Sequence, residues 1–249
     1  MATAANYRAH THSYWEVITG ILNPWGFLGY SLTFLPATIA PLLRSLSLRT
    51  LFSWSRLQPL WFARFWEVVG RNLREGLGPR IVPLLSGRVR NGVVVPASEA
   101  PSPGVGGTVL EIGAGSGMWV SLFAPSHCTS NSSQPVVLGE RTPITHIYGV
   151  EPNASVHDAL RAQVAAAGLE DTYEIVPLGI QDALASGRIA PESVDCIVSV
   201  LCLCSIPDPA QNIALLYKCL KPGGRWYVFE HVVAFPEQGR FMAFYQGAS

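Results

Sequence analysis

The sequence has little charge, and the charges it has cancel. Only 14% of its 249 residues are charged, and 17 Lys and Arg residues are balanced by 17 Asp and Glu residues, so the formal net charge is zero. A protein that binds a phosphate backbone needs a surplus of Lys and Arg on its surface. We therefore expect no nucleic acid among the partners of this protein.

The sequence also lacks any Cys-x-x-Cys pair, and the odd number of cysteines, five, is typical of a reducing compartment. Cys196, Cys202 and Cys204 share the same parity in an apolar run. We interpret them as small apolar residues on one face of a buried strand, with catalysis or metal binding as the alternative. We expect no metal site.

Charge is absent altogether between Val17 and Leu43. This stretch is long enough to cross a hydrocarbon core of about 30 Å. Pro24, Pro36 and Pro41 argue against one straight helix, because an internal proline removes a backbone hydrogen bond. Arg and Trp residues follow, which is the composition of a membrane interface. We expect an interfacial or re-entrant membrane anchor, and the alternative is a helical cap over the pocket of the next domain.

We predict that residues 1–95 form this apolar helical extension, in which the amphipathic stretch Trp61–Leu77 packs on the domain that follows. The segment 96–107 is rich in Pro, Ser and Gly and is predicted to be a linker. Residues 108–249 are predicted to form the second domain, since a chain of this length can bury one substantial core.

The most informative motif is a strand followed by a glycine-rich turn, V-L-E-I-G-A-G-S-G at Val109–Gly117, and a helix is predicted to begin directly after it at Met118. A dinucleotide site would need its third glycine at Met118, and the absence of a following Lys-Ser or Lys-Thr pair excludes a phosphate-binding P-loop. Glycines at alternate positions let the backbone approach a ligand closely. Glu111, two places before the first glycine, suits a ligand with a cationic amine, and S-adenosylmethionine is such a ligand.

Two further strands are followed by polar residues. Ile147–Val150 precedes Glu151, whose carboxylate can accept hydrogen bonds from both hydroxyls of a ribose. The alternative for Glu151 is a solvated carboxylate at the end of a strand. The strand that begins at Tyr173 precedes Gln181 and Asp182, either of which can accept from an adenine amine. Asp182 is equally suited to be the N-cap of the next helix.

The rest of this half alternates between strands and helices. The apolar run Val194–Ser205 is typical of a central parallel strand covered on both faces. Leu220–Gly224 is a turn that leads into a fifth strand, Arg225–Val232, and helices fit at Ala154–Ala167 and Pro209–Leu220. The pattern predicts an α/β protein with a Rossmann-like, doubly wound sheet.

Residues 109–232 resemble the class I S-adenosylmethionine-dependent methyltransferases. Glu111–Gly117 matches the first motif of that superfamily, Glu151 its ribose-binding acid, and Leu220–Gly224 a further hallmark turn. The resemblance implies S-adenosylmethionine as the cofactor and a small molecule as the methyl acceptor. We call S-adenosylmethionine the donor, because it would donate the methyl group. The residues predicted to bind it are Glu111, Gly113, Ala114, Gly115, Gly117, Glu151, Pro152, Asn153, Gln181, Asp182 and Leu201.

Within this superfamily, three segments are similar to the membrane-associated, thiol-methylating methyltransferase-like proteins: Glu151–Asn153, Val200–Ser205 and Glu230-His231-Val232. This likeness implies a thiol acceptor and a membrane-associated protein whose catalytic domain faces the cytoplasm, for example at the endoplasmic reticulum. His231, after the fifth strand, is the predicted base that takes the proton of the acceptor, and a capping histidine is the alternative.

Methyltransferases of this class add a helix and an antiparallel pair of strands after the fifth strand, whereas only residues 239–249 remain for them here. We therefore expect the C-terminal strands of the sheet to be missing. The alternative function is a non-catalytic, membrane-tethered protein that binds S-adenosylmethionine. An NAD-dependent oxidoreductase is excluded by the glycine spacing and by the lack of a substrate domain.

Overall fold

The computed structural model describes residues 14–124 and 142–231. The chain divides into two units, which we describe separately. The small unit comprises Met1–Ser53 and His231–Ser249, and the large unit comprises Trp54–Glu230. The expectation about missing C-terminal strands concerns residues 232–249, which lie outside the described part of the chain.

The described part of the small unit contains α1 (Tyr14–Leu32), α2 (Leu35–Arg44) and α3 (Leu48–Leu51). The chain turns at Thr33 and Phe34, and Pro36 follows in the first turn of α2. A proline is tolerated there because the N–H that it lacks would have no partner in the helix. The apolar stretch Val17–Leu43 thus folds as two helices, in agreement with the argument from its prolines.

The small unit exposes large apolar side chains. Trp25, Phe27 and Leu46 expose 61%, 56% and 78% of their surface. Trp25–Arg44 is the one helical stretch in residues 14–124 and 142–231 that is long and apolar enough, by length and composition, to cross a membrane. Only 11% of its apolar window is buried, whereas the core helix of a soluble protein buries most of such a stretch.

The large unit alternates between helices and strands. Its described helices are α4 (Trp54–Leu85), α5 (His157–Ala166), α6 (Ile180–Ala185) and α7 (Pro209–Cys219). Its described strands are β1 (Val89–Arg90), β2 (Val93–Val94), β3 (Gly107–Ile112), β4 (Ile144–Val150), β5 (Tyr173–Val176), β6 (Val194–Val200) and β7 (Leu220–Phe229). β1 and β2 form a separate antiparallel pair.

The other five strands form one parallel sheet in the order β5-β4-β3-β6-β7. The chain runs outward from β3 to β4 and β5, and then crosses back to β6 and β7. In sheets of this kind a ligand binds outside the carboxyl ends of the strands at the point where the order reverses, here between β3 and β6. The predicted Rossmann-like, doubly wound α/β fold is confirmed.

The sheet is covered by apolar side chains on both faces. Val109 and Leu160 belong to one buried cluster, and Leu110 and Leu216 belong to the other. Val109 and Leu110 are neighbours in β3, and consecutive side chains of a strand point to opposite faces. Because both faces are covered, the strands consist of nearly continuous apolar runs.

Helix α4 packs on this core, although it lies far before the sheet in the sequence. Ile81 and Leu85 near its end are fully buried in the core, and Phe65 is 4% exposed. The packing predicted for Trp61–Leu77 is therefore confirmed. Residues 54–95, which we assigned to the N-terminal extension, lie in the same unit as the sheet.

The turn predicted at Leu220–Gly224 lies within β7 as a bulge. Val194 pairs with Leu220, and Cys196 pairs with Arg225, so the residues between those two partners on β7 loop out of the ladder. An irregularity of this kind accommodates extra residues on one strand without ending the pairing. β7 is consequently longer at its start than the sequence indicated.

Other local predictions need correction. The helix expected directly after the glycine turn is a 3-10 helix at Val120–Phe123. β6 ends at Val200, so Cys202 and Cys204 lie beyond the strand and do not share a strand face with the buried Cys196. The predicted linker 96–107 is partly core, since Val105 is fully buried.

Candidate active site

A cavity of about 560 Å³ lies at the carboxyl ends of the central strands, where the strand order reverses. The segments after β3, β4 and β6, the start of α6 and the first half of α4 all contribute to its lining. Two of the predicted donor-binding residues, Glu111 and Gly117, do not line it. Those that do are Gly113, Ala114, Gly115, Glu151, Pro152, Asn153, Gln181, Asp182 and Leu201.

The glycine turn after β3 has two glycines at the cavity with different reasons for being glycine. Gly113 has φ +67°, and a Cβ on it would lie 2.5 Å from Cβ of Cys202, so no side chain fits. Gly115 has φ +56°, and a Cβ there would have only the carbonyl oxygen of Gly113 near it, at 3.9 Å. Gly113 thus permits close packing against Cys202, whereas Gly115 leaves open space beside the turn.

Gly117 serves the packing of the turn rather than the lining of the cavity. It has φ +86°, and a Cβ on it would lie 2.8 Å from Cβ of Gln163 on α5. A glycine that allows close approach of a helix is the usual third member of such a turn. We predicted contact with the donor for Gly117, but the structure instead places it against α5.

Glu151 is held by the backbone on two sides. Its Oε2 accepts the N–H of Gly115 at 2.9 Å, and its Oε1 accepts the N–H of Asn153 at 2.8 Å. The residue is only 8% exposed, so the reading of a solvated strand-end carboxylate is wrong. Each carboxylate oxygen has two lone pairs, and capacity for further hydrogen bonds therefore remains.

Glu111 lies near the end of β3, the strand that leads into the glycine turn. It is 3% exposed, and its Oε2 accepts the hydroxyl of Tyr173 at 2.5 Å. Burial raises the pKa of Glu111 from its ordinary value of 4.5 to about 7; the bond from Tyr173 opposes this rise, and the charge of Glu151 adds to it. We expected this carboxylate beside a donor amine, but strand alternation turns it to the face opposite Ile112, which lines the cavity.

Gln181 and Asp182 lie in the first turn of α6 and line the cavity. The N-cap of this helix is Gly179, so the reading of Asp182 as the N-cap is wrong. The side chain of Asp182 is therefore not needed to cap the helix. Their contact with an adenine amine stays a prediction.

The turn after β6 is held by Glu230. Its Oε1 accepts the N–H of Cys202 and its Oε2 accepts the N–H of Leu203, both at 3.2 Å. The same turn contains Leu201, which has φ +53°, a conformation uncommon for a residue with a side chain, and which lines the cavity. Burial, followed by the charge of Glu230, raises the pKa of the Cys202 thiol well above its ordinary range.

We did not predict this role of Glu230 from the sequence. The motif Glu230-His231-Val232 was noted, but the chemical role was assigned to His231. His231 is exposed and belongs to the small unit, whereas the cavity is formed by the large unit. The sequence did offer a signal for this role, because Glu230 is an acidic residue directly after β7. Neighbouring parallel strands such as β6 and β7 end at the same edge of the sheet, so Glu230 could be expected near the turn after β6.

Helix α4 forms a wall of the cavity. Phe62, Ala63 and Trp66 are part of the lining, and the side-chain N–H of Asn153 donates to the carbonyl oxygen of Pro59 at 3.3 Å. The helical cap was the alternative for Val17–Leu43, none of whose described residues lines the cavity, whereas the helix that forms this wall is the later α4. The feature of the sequence that indicated packing of α4 on this domain was the amphipathic pattern of Trp61–Leu77.

Residues 93–246 match the protein family described as "Methyltransferase domain". The match covers more than half of the chain, so this protein belongs to that methyltransferase domain family. The resemblance to methyltransferases that the sequence motifs indicated is thereby confirmed at the level of the family. Comparison with curated protein sequences gives no match.

Solved structures with similarity to the chain are distant. A candidate S-adenosyl-L-methionine-dependent methyltransferase from Methanococcus maripaludis is 18% identical with a TM-score of 0.45, and the match covers 75% of this chain and 69% of that one. A methyltransferase from Thiobacillus denitrificans in complex with S-adenosyl-L-homocysteine is 23% identical with a TM-score of 0.33, covering 48% and 40%. An arsenic(III) methyltransferase from Chlamydomonas reinhardtii is 23% identical with a TM-score of 0.35, covering 47% and 36%. The chain thus spans less than half the length of the last two.

Proposed function

We propose that this protein transfers a methyl group from S-adenosylmethionine to the sulfur of a small-molecule thiol. The observation that carries the proposal is that separate donor motifs of a methyltransferase-family chain line one cavity. The thiol as acceptor is supported by the likeness of Val200–Ser205 and Glu230-His231-Val232 to thiol-methylating proteins.

The residues of the cavity fit this donor. Glu151 keeps lone pairs for ribose hydroxyls after it has accepted two backbone N–H groups. The space beside Gly115 is open, so a ligand can approach the backbone there. Gln181 and Asp182 provide acceptors for an adenine amine. Glu111 acts on the donor site indirectly, through the strand that carries the glycine turn.

When bound, S-adenosylmethionine supplies a methyl group that is already activated by its sulfonium. The main task of the protein is then to hold both reactants in a near-attack arrangement, which contributes up to about 7–11 kcal/mol. The hydrogen bonds of Glu151 to Gly115 and Asn153 fix the two donor segments relative to each other. Helix α4 closes one side of the cavity.

The acceptor must lose a proton during the reaction. A thiol has an ordinary pKa of about 8.5, so a base of moderate strength is sufficient. We propose His231 for this step because it follows β7 closely in the sequence and an imidazole can act as a general base. Its exposure allows the proton to pass on to solvent.

We also propose that the small unit attaches the protein to a membrane, with the catalytic domain on the cytoplasmic side. The exposed Trp25, Phe27 and Leu46 support this proposal. The protein should sediment with membranes and resist a high-salt wash, because apolar burial is not screened by ions. A chain that remains soluble without detergent would contradict membrane attachment.

The enzymatic proposal is tested with labelled S-adenosylmethionine and a panel of alkyl thiols, phenols, amines and phospholipids. We expect label on the thiols and none on the phospholipids. Calorimetry with the donor is run in parallel. Donor binding without transfer to any acceptor would favour the non-catalytic alternative, and absence of donor binding would reject both.

A further inference from the structure

The α4 wall of the cavity lies outside the residues that match the methyltransferase family. The match to the methyltransferase family begins at residue 93, whereas α4 ends at Leu85. Phe62, Ala63 and Trp66 nevertheless line the same cavity as the donor motifs. A helix outside the matched residues therefore lines the same cavity as the donor motifs.

The wall is fixed in place by contacts along the helix. Asn153, beside Glu151, donates to the carbonyl oxygen of Pro59 at 3.3 Å. Further along, Arg74 donates a hydrogen bond to the hydroxyl of Ser121. These bonds connect α4 to the segments after β4 and β3, so its aromatic side chains are held at a defined position beside the donor residues.

The wall is aromatic and uncharged. The rings of Phe62 and Trp66 meet edge to face, with centroids 5.8 Å apart, and Phe62 remains 46% exposed. Glu151 and Asp182 are the only charged residues among the described ones that line the cavity, and both belong to the predicted donor set. An anionic group on the acceptor, away from the methyl donor, would therefore give up its hydration without meeting a cationic side chain of the described lining.

Two residues of the lining keep a buried polar atom without a partner in the described part of the chain. These atoms are Nε1 of Trp66 and Oδ1 of Asn212, and Asn212 is 2% exposed. Buried polar atoms are paired in the great majority of cases. Both atoms are covered in the structure, so either could pair with a neutral polar group of a ligand only after a movement of its side chain.

We propose that the Phe62–Trp66 face of α4 is the acceptor-binding wall, and that the acceptor is an uncharged molecule with an aromatic or equally apolar body. This inference rests on the proposed function, since an acceptor site has meaning only where methyl transfer takes place. It assigns the choice of acceptor to the segment before the family domain, and it restricts the thiols that the enzyme accepts.

Two probes that differ in charge test the inference. Methyl 4-(mercaptomethyl)benzoate and 4-(mercaptomethyl)benzoate carry the same ring and the same benzylic thiol, which stays protonated near neutral pH, and only the second has a carboxylate. Their affinities are measured by calorimetry on the full chain saturated with S-adenosylhomocysteine, which cannot donate a methyl group. We expect the ester to bind at least about tenfold more tightly than the acid. Equal affinities, or no binding of the ester, would overturn the proposal.

Variants locate the site. Phe62→Ala should weaken binding of the ester about tenfold and leave the affinity for S-adenosylhomocysteine unchanged. Tyr217→Ala, which removes an aromatic side chain that is 61% exposed and does not line the cavity, should change neither affinity. If Phe62→Ala does not fold, Phe62→Leu replaces it and should weaken ester binding in the same direction.

The two readouts separate the two hypotheses. Unchanged ester binding in a folded Phe62 variant would refute the acceptor wall and leave the proposed function intact. Failure of the unmodified chain to bind S-adenosylhomocysteine would refute the proposed function itself. Loss of both affinities in the Phe62 variant would also refute the wall as an acceptor site, because it would show that α4 only supports the donor site.

Discussion

The backbone N–H of Gly115 donates to Oε2 of Glu151 at 2.9 Å, and this bond joins the glycine turn after β3 to the carboxylate after β4. The two donor motifs are therefore one structure and not two independent contacts. Oε1 of Glu151 is meanwhile held by the N–H of Asn153. A change at Glu151 should consequently affect the glycine turn as well as the ribose contact.

Glu151→Ala should weaken the binding of S-adenosylmethionine by at least about tenfold, because hydrogen bonds to a charged group contribute about 1.5–3 kcal/mol each. Glu151→Gln should also weaken it, since the amide N–H₂ would face a backbone N–H. Asp158→Ala, at a side chain that is 97% exposed, is the matched control. The affinity for S-adenosylmethionine is measured by calorimetry. If both Glu151 variants bind it as tightly as the Asp158→Ala control does, the assigned role of Glu151 is rejected.

Gly115→Val should abolish donor binding while the fold is retained. The valine would extend into the open space beside the turn, in a backbone conformation with φ +56° that β-branched residues avoid. Gly168→Val is the matched control: φ is +65° and no atom lies within 4 Å of the added Cβ, so it carries similar strain away from the cavity. If the control lost donor binding to the same degree, strain alone would explain the effect.

Stability should depend on pH through Glu111. Its folded pKa of about 7 lies above its ordinary value of 4.5, so the stabilisation is complete below about pH 4.5 and is lost as the pH rises through 7. The difference is on the order of 3 kcal/mol. Thermal unfolding between pH 4.5 and pH 8 should show this loss, and Glu111→Gln should reduce it. The exposed Glu170→Gln should retain the pH dependence, and a Glu111→Gln profile parallel to the unmodified one would contradict the prediction.

Glu230 and His231 should give opposite kinetic results, although they are neighbours. Glu230→Ala removes the acceptor of two backbone N–H groups, so the turn at Leu201 should loosen and donor affinity should fall about tenfold. His231→Ala should leave donor affinity unchanged and lower turnover, with a shifted pH profile. Donor titration and turnover are measured on both variants. A Glu230→Ala chain that binds the donor normally would show that the turn is held by other contacts.

The sheet and the order of the donor motifs could be predicted because their signals are local. The apolar run before Gly113 and the glycines themselves define a strand and a turn within a few residues. The same holds for Glu151, whose position after β4 follows from the strand alone. The predicted doubly wound fold needed no information beyond the order of such segments.

The contacts that were missed join residues far apart in the sequence. Tyr173 reaches Glu111, and Asn153 reaches Pro59 on α4, through the packing of separate elements. The periodicity of a strand can show that Glu111 alternates with Ile112, but it does not reveal which face borders the cavity. The indirect position of Glu111 therefore required the three-dimensional arrangement.

Helix α4 lies before the family domain in the sequence, so the acceptor wall that we propose and the donor motifs are encoded by separate segments. The donor motifs lie on the sheet, whereas the aromatic wall is encoded by a separate, contiguous segment. The two are joined by the packing of Ile81 and Leu85 in the core and by hydrogen bonds such as that from Asn153 to Pro59. From the proposed acceptor wall we expect substitutions on the cavity side of α4 to alter the acceptor range while the donor site is left as it is. Because α4 is one short stretch of sequence, natural evolution or a directed-evolution library can vary this stretch alone to obtain variants that accept new acceptors.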